Sequence, residues 1–338
     1  MTRHLVQGHY GAADRANLAA AGADEKQTRF DLVAYDKVLD FGIGAALTDL
    51  KAKKVFPNEI ALDLVVTAAQ VYAADTRISR ATESEDAWTR EIRVVIPVSD
   101  VARWNVAVPV LERMLNFLTG DRWTIQFRAR PPRFAEIVPQ PDLIVPTVAG
   151  VSLFSGGLDS LIGAIDQLEA KRVPLLVSHA GEPAVSKAQD DCFDLLKKHY
   201  LKLPFERLRT WMTFPKGLVR NVGPEDSTRG RSFLFFALGV FAGTGLRRDF
   251  VLQAPENGLI ALNVPLDTLR LGALSTRTTH PFYIARWNDL LGVLGISGRI
   301  RRMPPQSTGS MSTIACPLAS GHDPTRGLGI KPGYTAES

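Results

Sequence analysis

The sequence is poor in the features that mark secreted, disulfide-rich and membrane-spanning proteins. Only two of its 338 residues are cysteines, Cys192 and Cys316, and their wide separation does not suggest a disulfide framework. No apolar run approaches the roughly 20 residues that a bilayer span needs. The N-terminal stretch also lacks the apolar core of a signal peptide. We therefore expect a cytoplasmic protein that is not exported and has no membrane association.

A large excess of charge of either sign is also missing. The formal net charge is +5, and the surplus arginines lie in short clusters at residues 128–133, 247–248 and 299–302. Solvated surface explains such clusters, and contact with phosphate or nucleic acid is the alternative. Charge alone leaves nucleic-acid binding open.

The first part of the chain has no pattern that indicates catalysis. Residues 1–30 are rich in Ala, Gly and Asp and are expected to be loosely ordered. From 31 to 130 the pattern favours strands with some helix, including the apolar, partly β-branched residues 61–75, and indicates an α+β N-terminal domain. The five prolines of residues 131–150 indicate a linker.

The pattern changes after the linker. Between residues 151 and 298 short apolar strands alternate with helical stretches, which predicts an α/β domain with a parallel, doubly wound sheet. One predicted helix places Leu161, Ile165 and Leu168 on a single face. Residues 299–338 are rich in Gly, Pro and Ser and are expected to form an irregular tail.

The sequence SGGLDS joins the first of these strands to the helix that follows. Gly156 and Gly157 let the backbone turn tightly and approach a ligand, and a helix N-terminus offers N–H groups and a positive dipole end to an anion. The hydroxyls of Ser155 and Ser160 add donors. A carboxylate at Asp159 fits beside an anion when Mg²⁺ is also bound. A capped turn without a ligand is the alternative, and the spacing matches neither GxxxxGK[ST] nor GxGxxG.

Two arginines and a histidine lie where loops follow other strands. Arg229 and Arg231 precede an apolar helix, where a positive charge opposes the helix dipole, and guanidinium groups bind phosphate oxygens bidentately. Two surface arginines are the alternative. His179, at the end of the second strand of this half, is either a ligand contact or a buried structural histidine.

A second polar group follows the strand that begins near residue 250. Its members are Glu256, Asn257, Asn263, Arg277 and His280. Asn and Glu can pair with the amide and amino edge of a purine-like ring, and an arginine can hold a carboxylate. These residues are the candidates for binding a substrate.

These stretches resemble the N-type ATP pyrophosphatase (PP-loop) superfamily. SGGLDS matches the SGGxDS pyrophosphatase loop completely. Residues 227–243 are similar to the QueC (7-cyano-7-deazaguanine synthase) segment in which an arginine-containing loop opens a long apolar helix. Residues 254–291 look most like the QueC-like proteins of bacterial anti-phage cassettes, such as the QatC proteins of the Qat system. The resemblance covers residues 151 to about 295, and ordinary QueC lacks the long N-terminal extension.

The resemblance implies an adenine nucleotide alpha hydrolase-like fold and an ATP-dependent carbon–nitrogen ligase. The loop would grip the pyrophosphate of ATP through Ser155, Gly156, Gly157, Leu158, Asp159 and Ser160. Mg²⁺ would lie at Asp159, and His179 would lie near the adenine. The carboxylate of a 7-deazaguanine-type base would attack the α-phosphorus, and an amine acceptor would then displace AMP to give an amide or a nitrile. Asp159, Ser160, Arg229 and Arg231 are the catalytic candidates.

The same resemblance suggests a role in anti-phage defence. Its substrate would be a 7-deazapurine carboxylic acid, and its partners would be other proteins of a defence operon. The amine acceptor is left open between ammonia, a protein and a nucleic acid, and a homodimer is an open possibility.

One departure concerns the cysteine-rich zinc cluster that QueC-type enzymes usually carry. Here only Cys316 and His322 lie near the C-terminus, and two ligands do not complete a tetrahedral site. We therefore expect no structural zinc and a tail that is truncated or frameshifted relative to these relatives. The departure favours the alternative function, a non-catalytic subunit that binds a nucleotide or deazapurine within a defence complex.

Overall fold

Two parallel β-sheets, with helices packed between and around them, form the described part of the protein. The computed structural model describes residues 2–15, 18–36, 38–84, 87–141, 143–223, 225–256 and 277–303. All of them belong to one compact unit. None of the described helices is long and apolar enough to cross a membrane.

The first sheet has four parallel strands. The elements of this half are, in chain order, β1 (Arg3–His9), β2 (Glu25–Asp31), β3 (Val33–Tyr35), β4 (Val38–Leu39), α1 (Ile43–Ala52), α2 (Glu59–Arg77), α3 (Arg80–Glu83), β5 (Glu91–Val98), α4 (Val101–Thr119) and β6 (Arg122–Ala129). The strand order is β2-β1-β5-β6, and β3 and β4 form a separate antiparallel ribbon.

The second sheet has five parallel strands. After a 3₁₀ turn at Pro132–Phe134, its elements are β7 (Gly150–Leu153), α5 (Leu158–Glu169), β8 (Pro174–Ala180), α6 (Pro183–His199), β9 (Glu206–Trp211), α7 (Arg231–Thr244), β10 (Phe250–Pro255), α8 (Pro281–Val293) and β11 (Gly298–Met303). The strand order is β11-β10-β7-β8-β9. The order reverses between β7 and β10, and open α/β sheets bind ligands at that switch point. The predicted parallel α/β sheet is therefore confirmed.

The first half differs from its predicted α+β class, because its four-stranded sheet is parallel throughout. Strand direction depends on the crossovers, such as α4 between β5 and β6, and local periodicity does not reveal it. Residues 1–30, expected to be loosely ordered, contain β1 and β2. The polar residues His4 and Gln7 of β1 are fully buried because the strand lies between two others.

The apolar residues 61–75, in the segment expected to be mostly strand, lie within helix α2. The helix is buried on all sides because it packs against β1 and β5 on one side and α7 on another. A helix buried all round has no polar face to reveal its period. Its polar side chains have tertiary partners: Gln70 donates to the carbonyls of Val6 and Val95 at 2.9 and 3.1 Å.

Two of the arginines predicted to lie in a solvated cluster are buried instead. Arg128 donates to Asp14 at 3.0 Å and to the Gly8 carbonyl at 2.7 Å, and Arg130 pairs with Asp63. These guanidinium groups therefore bind acidic and carbonyl groups inside the first half of the chain. The tail predicted from residue 299 instead begins as strand β11, and residues 304–338 lie outside the described part of the chain.

Candidate functional site

The SGGLDS loop leaves the central strand β7 and enters α5, as the sequence predicts. Ser160 Oγ accepts the N–H of Gly156 at 3.1 Å and donates to the carbonyl of Gly157 at 2.8 Å. Ser155 Oγ accepts the N–H of Gly157 at 3.3 Å. The two serine hydroxyls therefore hold the shape of the loop. This applies most to Ser160, which is only 4% exposed.

The loop also packs closely against α6. Gly156 has a φ of +82°, and a Cβ there would lie 2.9 Å from the backbone nitrogen of Gln189. The side-chain amide of Gln189 donates to the carbonyls of Ser155 at 3.3 Å and His179 at 3.0 Å. The N-terminus of α5 has no side-chain cap among the described residues. Its first N–H groups and its dipole are therefore available to an anion.

A cavity of about 760 Å³ lies at the carboxyl ends of β7 and β10. Its volume is within the range of small-molecule sites. Seven of the residues proposed from the sequence line it: Ser155, Gly157, Ser160, Arg229, Arg231, Glu256 and Arg277. Residues that are 120 positions apart in the chain thus meet at the switch point of the sheet.

A buried ionic network fixes the segment that carries Arg229 and Arg231. Asp75 at the end of α2 accepts the N–H of Gly230 at 2.6 Å and contacts Arg80 at 3.0 Å and Arg90 at 2.8 Å. These three charged side chains are at most 6% exposed. The first half of the chain therefore positions the backbone between the two cavity arginines.

A second carboxylate, Glu225, also holds the segment that precedes α7. Glu225 accepts the N–H of Arg80 at 2.7 Å and the N–H of Ser227 at 2.8 Å. Arg80 also donates from its guanidinium to Ser227 Oγ. The segment before α7 is thus attached to the first half at several points, which keeps Arg229 and Arg231 facing the cavity.

Glu256 lines the cavity at the end of β10, and the charge of Asp159 is near enough to affect its pKa. Burial, and then the negative charge of Asp159, raises the pKa of Glu256, and Arg302 partly opposes this. Asp159 is half-buried in the first turn of α5, and Glu256 follows β10 directly. Carboxylate oxygens that face one another are the ligands that Mg²⁺ and similar hard cations prefer.

Arg229 and Arg277 meet at the C-terminal end of α4. Arg229 donates to the Thr119 carbonyl at 2.8 Å, and its guanidinium carbon lies 4.5 Å from the centre of the Trp88 ring. Arg277 donates to the Phe117 carbonyl and lies 5.6 Å from the Phe117 ring. Arg231 points away from this pair, toward the His179 carbonyl at 3.5 Å.

A smaller cavity of about 280 Å³ adjoins the first at the ends of β8 and β9. Arg231, Val185 and Thr228 line both cavities. His179 does not line either one. His179 is only 2% exposed and lies beneath Tyr72, with the two ring centres 5.7 Å apart. Neither nitrogen of the His179 ring has a hydrogen bond to a described residue, although the Met212 backbone is near.

The remaining proposed residues do not line the cavity, and Gly156 and Asp159, the proposed Mg²⁺ ligand, are among them. The Leu158 side chain is 52% exposed and does not line it. His280 caps the N-terminus of α8 by accepting the N–H of Phe282 at Nδ1, 3.2 Å away. Asn257, Asn263, Cys316 and His322 lie outside the described residues. Within the described ranges no group of three or more His, Cys, Asp or Glu side chains is placed to hold a metal ion.

The contribution of the first half to the cavity is not predicted from the sequence. Trp88 and Leu118 line it from that half, and Phe117 lies behind Arg277. Trp88 precedes β5 and is 55% exposed. An exposed tryptophan next to a strand start is the one signal that could have marked this wall.

Comparison with known proteins leaves the family open. No family model matches the chain, and no curated protein matches it. Among solved structures, the crystal structure of a ketoreductase domain from the bacillaene assembly line is similar over 91% of this chain and 83% of its own, with 10% identity and a TM-score of 0.24. A likeness that weak carries no argument about fold or function.

Proposed function

We propose that the protein is an ATP-dependent ligase that adenylates the carboxylate of a 7-deazaguanine-type base. Pyrophosphate leaves in the first step. An amine acceptor then takes the acyl group, which gives an amide, and AMP leaves. With ammonia as the acceptor, a second ATP would adenylate the amide oxygen with release of pyrophosphate, and loss of that oxygen with a second AMP would give a nitrile. The proposal includes membership of the PP-loop superfamily, with QueC-like proteins of anti-phage cassettes as the relatives that the sequence resembles.

The observation that carries the proposal is the meeting of three anion-binding features in one cavity. The SGGLDS loop, the uncapped N-terminus of α5 and Arg231 all lie there. Backbone N–H groups at a helix N-terminus, together with a nearby guanidinium, suit a polyphosphate. The position at the β7/β10 switch point is where such sheets bind nucleotides.

Arg231 would contact the phosphates of ATP. It lines both cavities, so it can lie beside the phosphate chain while the adenosine end occupies the smaller cavity. Its guanidinium would stabilise the negative charge that builds on the α-phosphate as the Pα–O bond to pyrophosphate breaks. His179 beneath the smaller cavity would support its wall and not contact the ligand.

Asp159 and Glu256 would hold Mg²⁺ on the cavity side of α5. The ion would neutralise phosphate charge when it is bound. Burial, and then the charge of Asp159, raises the pKa of Glu256, and a cation beside the two carboxylates would offset both effects.

The chemistry needs no side-chain nucleophile. A carboxylate oxygen of the substrate attacks the α-phosphorus, so the work of the protein is to position two ligands and stabilise charge. The acyl adenylate then has AMP as its leaving group. The nitrogen of the amine bonds to the acyl carbon and loses a proton, and the C–O bond to AMP breaks.

The decisive experiment is ATP–pyrophosphate exchange in the presence of Mg²⁺ and 7-carboxy-7-deazaguanine. Exchange reports adenylation alone and needs no amine acceptor, so it is independent of the unknown acceptor. We expect exchange that depends on the acid. Asp159→Asn should lower it about 100-fold or more, since it removes a charged ligand of the metal. Asp166→Asn, near the C-terminal end of the same helix and away from the loop, is the control.

The opposite result is also informative. If the folded protein binds ATP but shows no acid-dependent exchange, adenylation is excluded and a non-catalytic nucleotide-binding subunit takes its place. Mass spectrometry of the acid after incubation with ATP, with and without proteins encoded beside this one, would then identify the acceptor if adenylation does occur.

A further inference from the structure

Two guanidinium groups share one end of the large cavity. The position that a Cβ on Gly120 would occupy lies 3.5 Å from Nη1 of Arg229 and 3.9 Å from Nη1 of Arg277. The two like charges are therefore close neighbours. Each guanidinium donates one hydrogen bond to a carbonyl of α4. Because a guanidinium has five N–H donors, most of them are left for a ligand.

Acidic residues compensate the pair only in part, since Asp121 and Asp75 raise the pKa of Arg229 but do not outweigh its burial. Among the described carboxylates none forms an ion pair with Arg229 or Arg277, because Asp75 and Asp121 are already bound to Arg80 and Arg90. Burial lowers the pKa of both cavity arginines, and the charge of Arg80 lowers that of Arg229 further. An anion between the two would offset these costs.

A buried hydroxyl at the same cavity provides an independent sign of a ligand. Thr279 lines the cavity, is 2% exposed, and its Oγ1 has no hydrogen-bond partner in the described part of the chain. Buried polar atoms are nearly always paired in native proteins. A ligand oxygen beside the arginines would pair with this hydroxyl.

Aromatic rings restrict the orientation of the pair. Trp88 covers one face of Arg229, and Phe117 lies beside Arg277. The Trp88 ring is 55% exposed and lines the cavity, so part of its surface is available to a flat ligand. Indole rings stack readily on heteroaromatic rings.

The position of Arg229 and Arg277 at the end of α4 favours an anion of low charge. The arginines lie at the C-terminal end of α4, where the helix contributes about half a negative charge, whereas the loop lies at the positive N-terminal end of α5. A polyphosphate is therefore better placed at α5. A single carboxylate suits the arginine pair.

We propose that Arg229 and Arg277 bind the carboxylate of a planar aromatic acid whose ring lies against Trp88. This rests on the proposed function, of which it names the acid-binding subsite. It reassigns Arg229 from the phosphates of ATP to the second substrate, and it makes the first half of the chain a determinant of substrate choice.

Calorimetry with two matched bases tests the subsite. The probes are 7-carboxy-7-deazaguanine and 7-deazaguanine, which lacks the carboxylate, with ATP titrated separately. The natural protein should bind the acid more tightly than the parent base. Arg277→Gln should weaken binding of the acid about 10- to 100-fold and change binding of the parent base and of ATP by less than about threefold. Arg277→Lys should fall between, because a lysine keeps the charge and loses the fork.

Two further variants complete the design. Trp88→Ala should weaken both bases about fivefold or more, because it removes the stacking surface. Arg113→Gln, which removes an exposed charge from α4, should change none of the affinities. Thermal unfolding of each variant separates loss of binding from loss of the fold.

The outcomes distinguish this inference from the proposed function. If Arg277→Gln weakens ATP and leaves the acid unaffected, or if the natural protein does not distinguish the two bases, the subsite is refuted even when adenylation is observed. If binding of the acid depends on Arg277 while ATP–pyrophosphate exchange is absent, the subsite stands and the ligase does not.

Discussion

Two adjacent glycines of the SGGLDS loop should respond to alanine in opposite ways. Gly156 has a φ of +82°, and an added Cβ would lie 2.9 Å from the backbone nitrogen of Gln189 and 3.1 Å from its Cα. Gly157 has a φ of −86° and a ψ of 169°, and an added Cβ would meet nothing nearer than Ser155 Oγ at 3.6 Å. The first position is restricted by the fold, and the second only by what binds in the cavity.

The expected sizes follow from these contacts. The left-handed conformation costs alanine about 1–2 kcal/mol, and the contact with the α6 backbone adds to this because a helix backbone cannot turn aside as a flexible side chain can. Gly156→Ala should therefore lower the free energy of unfolding by about 2–4 kcal/mol, or roughly 3–6 °C in Tm for a chain of this length. Gly157→Ala should change it by less than about 1 kcal/mol, since alanine adopts an extended backbone and restricts the unfolded chain.

Thermal unfolding and ATP titration of the same variants make the test. Gly157→Ala should lower the affinity for ATP about tenfold or more, or by about 1.4 kcal/mol of binding free energy, because its methyl group would occupy the space where a phosphate meets the backbone. Gly217→Ala, in an exposed loop with no atom within 4 Å of the added Cβ, should change neither quantity. Unchanged ATP affinity in a folded Gly157→Ala would refute the phosphate site, and an unchanged Tm in Gly156→Ala would refute the loop geometry.

Two other perturbations test the surroundings of the cavity. Burial, and then the charge of Arg231, lowers the pKa of His179 to about 4. Because His179 binds a proton below about pH 6.5 in the unfolded chain but not in the folded one, stability should fall between pH 6.5 and 4 by up to about 3 kcal/mol. Denaturant titrations of His179→Asn should therefore show a flatter pH dependence of stability. Asp75→Asn removes a carboxylate that holds Arg80, Arg90 and the Gly230 N–H, so it should cost about 3–5 kcal/mol in the same assay. The exposed Asp191→Asn should cost less than about 1 kcal/mol, and a similar cost for both variants would contradict the role given to the buried network.

The second sheet could be predicted because its elements carry local signals. Strand β8 begins with a short apolar run, α5 has an apolar stripe, and the glycines of the loop separate β7 from α5. The position of the cavity followed in turn, because the carboxyl ends of parallel strands meet at one edge of a sheet. The residues that end those strands, such as Ser155 and Glu256, could therefore be named from their places in the sequence.

The first half could not be predicted as well, because its signals are tertiary. The polar residues of β1 are buried by neighbouring strands, and α2 is buried on every face because a second helix covers the side that would otherwise meet water. His280 shows the same limit within the site. A polar residue after a loop suggested substrate binding, but its imidazole caps a helix, and the sequence pattern does not distinguish these uses.

The contacts between the halves explain why the cavity depends on both. Helix α7 begins at Arg231 and packs against α2, so removal of the first half would expose part of its buried apolar surface. The same removal would leave the Gly230 N–H without Asp75. The shared core thus determines the position of the N-terminus of α7, and that position determines where Arg231 lies. The wall that carries Trp88 closes the other end of the cavity. The N-terminal half is therefore a structural part of the site and not an appendage to a nucleotide-binding sheet.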